Sequence, residues 1–285
     1  MGRMTEIQYA DSTVNPVTGC RGCELWSPEK GGTCYAAAMY TRFAPAGTSF
    51  ADIHLLPERM QPAIRWPALG PGGHPGKPWM DELPRVVFLG DMTDVFGAGV
   101  PPEWLWAHVV APVLEAGRHN WLVLTKRADR LRRFTEDQDL TWPANIAVGT
   151  SVTTMAQSSR VRHLCRTPAT LRWVALEPLL GPMDMEAVAP PGQVHWVVIG
   201  GESGPRAREC DMRWIERAIN HCSAAKIPVF VKQLGSRPVV RRDPRTVRFL
   251  GVKAKGADWR EWPPALRVRQ MPWLRGSVLR AAKLV

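Results

Sequence analysis

Six short apolar runs, many of them β-branched, recur through the chain: Val86-Val87-Phe88-Leu89, Trp121-Leu122-Val123-Leu124, Ile146-Ala147-Val148, Trp173-Val174-Ala175-Leu176, Trp196-Val197-Val198-Ile199 and Val229-Phe230-Val231. None alternates apolar with polar, so each reads as a strand buried on both faces. The intervals between them are long enough for helices, which are expected at Pro102 to Ala116, Ala128 to Phe134, Met155 to Cys165 and Met212 to Ala224. Pro101-Pro102-Glu103 opens the first helix and Gly117 comes just after it, the proline-first, glycine-after asymmetry of helix ends. An early strand near Ile7-Gln8-Tyr9 makes seven. Buried strands joined by helical crossovers form a parallel sheet with right-handed connections. The expected fold class is therefore α/β, a partial (open) TIM-like β/α barrel with parallel strands, one strand short of closure. The Pro/Gly-rich stretch from Pro57 to Pro84 reads as an ordered loop or lid.

Each apolar run gives way to polar residues. Gly90-Asp91-Met92-Thr93-Asp94, Thr125-Lys126-Arg127, Gly149-Thr150-Ser151, Glu177-Pro178, Gly200-Gly201-Glu202-Ser203-Gly204 and Lys232-Gln233 all stand at the C-terminal ends of expected strands. In a parallel barrel that rim is where ligand-binding and catalytic groups collect. Asp91 and Asp94 also suit a helix cap and turn, and Glu177 suits a buried pair with Lys232 or Lys126.

Ahead of the sheet lie three cysteines, Cys20, Cys23 and Cys34, the last opening the alanine-rich run Ala36-Ala37-Ala38-Met39. Structural zinc needs four protein ligands. Three thiolates instead leave one iron of a cubane cluster open. Cys34 at a helix start gains from the dipole there, which favours a thiolate. Zinc completed by His54 or His74, or ordinary buried thiols, are the competing readings. Cys165, Cys210 and Cys222 have no metal-ligand spacing, and His221 beside Cys222 reads as a local helix feature.

Composition narrows the setting. At 285 residues and 45% hydrophobic the chain can build a substantial core. No stretch approaches the roughly 20 apolar residues of a membrane span, and the start lacks a secretory apolar region. A cytoplasmic, reducing location with no membrane partner is expected, without paired disulfides. The net charge of +11 is concentrated late: residues 236–285 hold thirteen Lys and Arg against three acids. Arg237, Arg241, Arg242, Arg245, Arg248, Lys253 and Lys255 are interleaved there with Phe249, Trp259, Trp262 and Trp273, a pattern suited to phosphates and base stacking. A solvated basic tail with packed tryptophans is the bland alternative. The division expected is 1–235 for the barrel with its cysteine loop and 236–285 for a basic, Trp-containing C-terminal segment. No Ser-His-Asp or Walker pattern points to a hydrolase or nucleoside triphosphatase.

Several motifs together resemble a phage and bacterial three-Cys-motif family of unknown function that is itself similar to radical S-adenosylmethionine (SAM) enzymes. They are Asn15-Pro16-Val17-Thr18-Gly19-Cys20 with Cys34-Tyr35-Ala36, Leu124-Thr125-Lys126-Arg127, Glu177-Pro178-Leu179-Leu180-Gly181-Pro182, Gly200-Gly201-Glu202-Ser203-Gly204-Pro205 and Val231-Lys232-Gln233-Leu234-Gly235. Trp262-Pro263-Pro264-Ala265-Leu266-Arg267-Val268-Arg269 resembles that family's C-terminal segment. The resemblance implies a radical-SAM-like fold in which Cys20, Cys23 and Cys34 bind a 4Fe-4S cluster, whose fourth iron is chelated by SAM. Reduction by an electron donor would cleave the sulfonium to a 5′-deoxyadenosyl radical while the protein excludes water. The cysteine spacing departs from the radical SAM signature, because here the close pair comes first and a ten-residue insertion separates it from the third thiol.

The resemblance and the rim together imply a role for each polar strand end. Gly200, Gly201, Glu202 and Ser203 bind the cofactor, with Asp91, Asp94, Thr125 and Ser151 beside it. Lys126, Arg127, Arg241 and Arg242 bind substrate. Glu177 and Lys232 are catalytic, the first by exchanging a proton or orienting a ligand. The expected activity is modification or repair of a nucleic acid or nucleotide-like substrate, served by a reducing donor and with room for a protein partner. Two alternatives stand beside it: a non-catalytic nucleic-acid-binding protein stapled by structural zinc or iron-sulfur, and a barrel enzyme that keeps the rim but has lost the cluster.

Overall fold

A computed structural model describes residues 4–241, 247–251 and 254–273. Seven strands, β1 (Ser12–Val14), β2 (Val86–Leu89), β3 (Asn120–Thr125), β4 (Trp142–Ser151), β5 (Ala169–Leu176), β6 (Trp196–Gly200) and β7 (Val229–Gln233), hydrogen-bond in sequence order. The pairs β1–β2, β2–β3, β5–β6 and β6–β7 are parallel. An α/β sheet with a sequential order lacks the strand reversal of doubly wound sheets. Every residue of β2 and of β6 is buried, as the unbroken apolar runs require.

Helices alternate with the strands: α1 (Tyr35–Phe43) comes after the cysteine loop, then α2 (Ala128–Asp137), α3 (Ser159–Arg166) and α4 (Met212–Ala224). In α4 the Asp211 carboxylate caps the Arg213 N–H at 3.0 Å, and Met212, Ile215, Ala218 and Cys222 form the buried stripe. Residues 102–115 are also helical, with a π turn at Trp106–Val110 between two α segments. The segment from 155 splits into a 3₁₀ turn, Met155–Gln157, and α3.

The residues group into two compact units, Met1–Val148 with Thr167–Thr170, and Gly149–Arg166 with Leu171–Val285. In the first unit two expectations are corrected. The early strand is Ser12–Val14, not 7–9; Tyr9 packs on Phe88 at 5.9 Å while the Ala10 N–H turns back to Ile7. The polar strand residue Ser12 is fully buried because Arg85 donates to its hydroxyl at 3.0 Å. The Pro57 to Pro84 stretch is not a lid. Met60, Ala63, Met80 and Leu83 enter the core, and buried His74 spans the Asp11 carboxylate at 2.8 Å and the Leu83 carbonyl at 2.9 Å. The Lys77 ammonium donates to the Thr5 carbonyl at 2.7 Å, with its pKa lowered by desolvation.

In the second unit the described residues of the basic segment do not stand off as a tail. After strands Pro238–Arg241 and Val247–Phe249 the chain returns along β7. Val231 N–H donates to Val268 O at 2.8 Å, Gln270 N–H to Val229 O at 3.0 Å, and the Trp196 indole to Gln270 O at 2.8 Å. Trp262, Leu266 and Met271 are buried to 1% exposure or less. The Arg269 guanidinium lies over the rings of Phe230, Trp259 and Trp262 at 5.6, 5.2 and 5.3 Å. Desolvation brings its pKa down to about 10, still far enough above neutrality to keep it charged among rings that favour a cation. Trp262 is therefore core and not a platform for bases. This strap covers the outer edge of the last strand, so Trp262→Ala is expected to destabilise the chain by about 3–5 kcal/mol. Urea unfolding measures it; a loss below about 1 kcal/mol would place the strap outside the cooperative core.

Candidate functional site

The cysteine loop is shaped by its backbone. Gly19 has φ +85° and a Cβ there would meet the Asp52 carbonyl at 1.9 Å, so only glycine fits. The Cys20 N–H then reaches the Phe50 carbonyl at 2.7 Å. Cys20 and Cys23 accept backbone N–H groups, from Gly22 and from Leu25, each at 3.4 Å, whereas Cys34, the N-cap of α1, makes no side-chain capping hydrogen bond. All three are partly exposed. Cys20 and Cys34 pack beside Ala36, Ala37 and Phe50.

The expectation that the helix start lowers the Cys34 pKa is overturned in sign. Burial raises it by more than the nearby Ala36 and Ala37 N–H groups and Lys126 lower it. Burial likewise raises Cys20, and nearby Cys23, Asp94 and Cys34 add to the rise against the Gly22 bond. The thiols thus feel one another's charge, and a cation among them would reverse that balance. Among the described residues no group of three His, Cys, Asp or Glu stands ready to hold a metal ion, so binding one requires the thiols to turn toward it. The donor set suits a metal that prefers soft sulfur. His74 is engaged at both ring nitrogens, and His54 is exposed on a two-residue strand opposite Thr18.

The strand ends of the same unit surround this loop. Asp94 accepts from the Thr125 hydroxyl at 2.7 Å, the Lys126 N–H at 2.8 Å and the Phe96 N–H at 3.0 Å, tying the loop after β2 to the end of β3. Asp91 accepts from the Asn15 amide at 2.7 Å, and its pKa is raised by desolvation against that bond. Asn15 in turn takes the Met92 N–H at 3.0 Å, and the Tyr35 hydroxyl donates to the Asp91 carbonyl. The Arg127 guanidinium donates to the Gly22 carbonyl, which braces the cysteine loop from the β3 end. Sequence reasoning gives Asn15 no role of its own, although it opens the run that leads to Cys20.

In the second unit Glu177 and Lys232 form an ion pair at 3.0 Å, the structural alternative to a catalytic role for them. Ser151 donates to the Glu177 carbonyl at 3.2 Å. A Cβ on Gly201 would lie 2.1 Å from the Leu234 carbonyl, so this turn needs glycine for close backbone packing. Gln233 donates to the Gly201 carbonyl at 2.8 Å. Glu202 is buried, and Arg208 engages its carboxylate at 2.6 and 2.8 Å through the guanidinium and at 2.9 Å through its N–H. No spacing rule singles out Arg208. Ser203 is exposed beside Gly200 and Gly201, which are buried. Arg241 pairs with Glu209, and Arg242 lies outside the described residues.

A sequential parallel α/β sheet with a three-thiol loop among its strand-end groups defines the class of protein. The chain belongs to the family described as protein of unknown function (DUF5131), whose profile matches residues 4–263. No curated protein and no solved structure matches it.

This geometry sets the reactivity of the cysteines. Cys20 and Cys34, with raised pKa values, carry less thiolate at pH 8 than an ordinary cysteine, so their alkylation should be slow there and accelerate as pH climbs beyond about 9. Cys210 and Cys222, pushed up to about 12 by burial, should stay unmodified in the native protein; peptide mass mapping after iodoacetamide distinguishes the sets. Gly19→Ala, strained at positive φ and blocked by Asp52, should lower the melting temperature and expose Cys20 to faster alkylation.

Proposed function

We propose that this chain is an iron-sulfur enzyme of radical SAM type, on an open β/α barrel, that acts on a nucleic acid or nucleotide-like substrate in modification or repair. The observation that carries the reading is the set of three partly exposed thiols, two of them accepting a backbone N–H, braced by Arg127 and bordered by the Asp94-tied strand end. Cys20, Cys23 and Cys34 would hold a 4Fe-4S cluster, which when bound supplies reductive cleavage of the sulfonium of SAM with one electron from an external donor. N–H donors to sulfur stabilise the thiolate and tune such a centre. Asp91, a carboxylate kept less acidic by burial, is suited to accept from a hydroxyl or ammonium of the cofactor. The Glu177–Lys232 pair offers a held proton donor and acceptor.

A second reading has support in Glu202. Its carboxylate, expected to meet a cofactor, is taken up by Arg208. That favours the non-catalytic alternative, a nucleic-acid-binding protein whose thiols hold a structural zinc or iron-sulfur centre.

Anaerobic reconstitution with iron and sulfide, followed by electron paramagnetic resonance of the reduced protein with and without SAM, separates the two. The enzyme reading expects a cluster signal that SAM perturbs and that is lost in the Cys20→Ala, Cys23→Ala and Cys34→Ala triple variant. Stoichiometric zinc, or a cluster indifferent to SAM, moves the assignment to the structural centre.

A further inference from the structure

A short antiparallel pairing sets Val17 opposite Leu55 and Thr18 opposite His54, and the Leu56 N–H extends it to the Pro16 carbonyl at 2.7 Å. A proline-led 3₁₀ turn, Pro57–Arg59, starts directly after it and brings the Arg59 side chain to the segment ahead of the cysteines. There the guanidinium donates through Nη1 to the Asn15 carbonyl at 3.2 Å. Among the described residues no carboxylate pairs with it, so its charge is uncompensated.

Arg59 lines a pocket of about 210 Å³ with Asn15, Thr18, Tyr40, Phe50 and Met92, and Gly19, the residue before Cys20, borders it. The Tyr40 and Phe50 rings stand 5.4 Å apart. The Asn15 side chain is already engaged, donating to Asp91 at 2.7 Å and accepting the Met92 N–H at 3.0 Å, so it fixes the Met92 wall. The Thr18 hydroxyl has no partner among the described residues. An occupant therefore meets one cation and one hydroxyl set in aromatic and thioether surface.

Those groups define a ligand. One charge held away from water is balanced by one opposite charge. With Nη1 engaged, the Nε–Nη2 edge of the guanidinium keeps two parallel N–H groups, which match the two oxygens of a carboxylate. A phosphate monoester carries nearly two charges near neutral pH and would find a single cation here. The apolar walls call for a hydrocarbon body, and the volume lies below the roughly 300–1,000 Å³ of pockets for drug-sized ligands. SAM, a nucleoside joined to an amino acid, belongs to that larger class.

We propose that this pocket binds a compact monocarboxylate with an aromatic or branched aliphatic body. The carboxylate sits on Arg59 and Thr18, and the hydrocarbon lies against Tyr40, Phe50 and Met92. The inference goes beyond the proposed function and needs no metal on the thiols.

The test is isothermal titration of the full chain, chelator-treated and without added iron, with sodium phenylacetate as the probe. Failure of the cluster reading therefore leaves the result intact. Saturable binding is expected, weakened about ten-fold or more in Arg59→Gln and for benzyl alcohol, which keeps the ring and lacks the carboxylate. Met92→Ala, which shortens an apolar wall and leaves the cation, is expected to weaken it about three-fold or more, and circular dichroism checks that each variant is folded. If Arg59→Gln does not fold, Arg59→Lys replaces it: the charge stays, the fork is lost, and weaker binding is again expected. Absence of saturable binding would overturn the proposal, as would affinity unchanged in the folded Arg59 variant or phenyl phosphate binding more tightly than phenylacetate. Displacement of the probe by SAM at equal or lower concentration would give the pocket to the cofactor and overturn it too.

Discussion

A strand buried on both faces has no room along its length for polar side chains without partners, so polar chemistry must collect where strand gives way to loop. In this chain β2 and β6 obey that limit residue for residue, and the consequence is a set of loops crowded with carboxylates, amides and cations. Crowding of this kind has to be made compatible with itself before it can serve anything else. Asp94 does so in the first unit by gathering a hydroxyl and two N–H groups around one carboxylate. Arg208 and Lys232 do so in the second by meeting Glu202 and Glu177.

The cysteine loop shows two local effects pulling against each other. A helix start and its free N–H groups favour the Cys34 thiolate, while packing beside Ala36, Ala37 and Phe50 strips away water and favours the neutral thiol. Desolvation wins because a thiolate without a counter-charge is costly in apolar surroundings. The first N–H groups of the helix nevertheless lie beside Cys34, and a cation bound there would supply the missing charge. Arg127, expected on sequence grounds to bind substrate, reaches the Gly22 carbonyl, which shows how a cation placed by one strand end can shape a distant loop.

Most of the sheet is legible in the sequence because buried parallel strands leave unbroken apolar runs: the run 86–89 coincides with β2, and the helix expected at 212–224 coincides with α4. The first strand escapes such reading because Ser12 and Thr13 look like turn residues, and Arg85, seventy-three positions away from Ser12, donates to the buried hydroxyl. The 57–84 stretch misleads for a similar reason. Its prolines and glycines are real turn signals, but His74 and Lys77 stitch the turns to carbonyls and a carboxylate that spacing cannot reveal. At the site the glycines and cysteines announce themselves by type. The partners of Glu202 and Asp91 do not, since an arginine six residues on and an asparagine before a proline carry no recognisable spacing. The C-terminal tryptophans are ambiguous in principle: interleaved cations and rings describe both a stacking surface and a guanidinium buried in its own aromatic cage, and burial alone separates them.

That cage has a bearing on how the molecule comes into being. Residues 256–270 cover the free edge of β7, yet they are made later than every strand of the sheet. Until they emerge, the edge of an almost complete sheet stands bare, with unpaired N–H and C=O groups that invite pairing with any other strand. A ribosome stalled shortly before residue 256, or a nonsense codon there, would release a chain with most of its apolar core assembled and one adhesive margin. The strap thus sets the point in translation after which the nascent protein is safe from its neighbours.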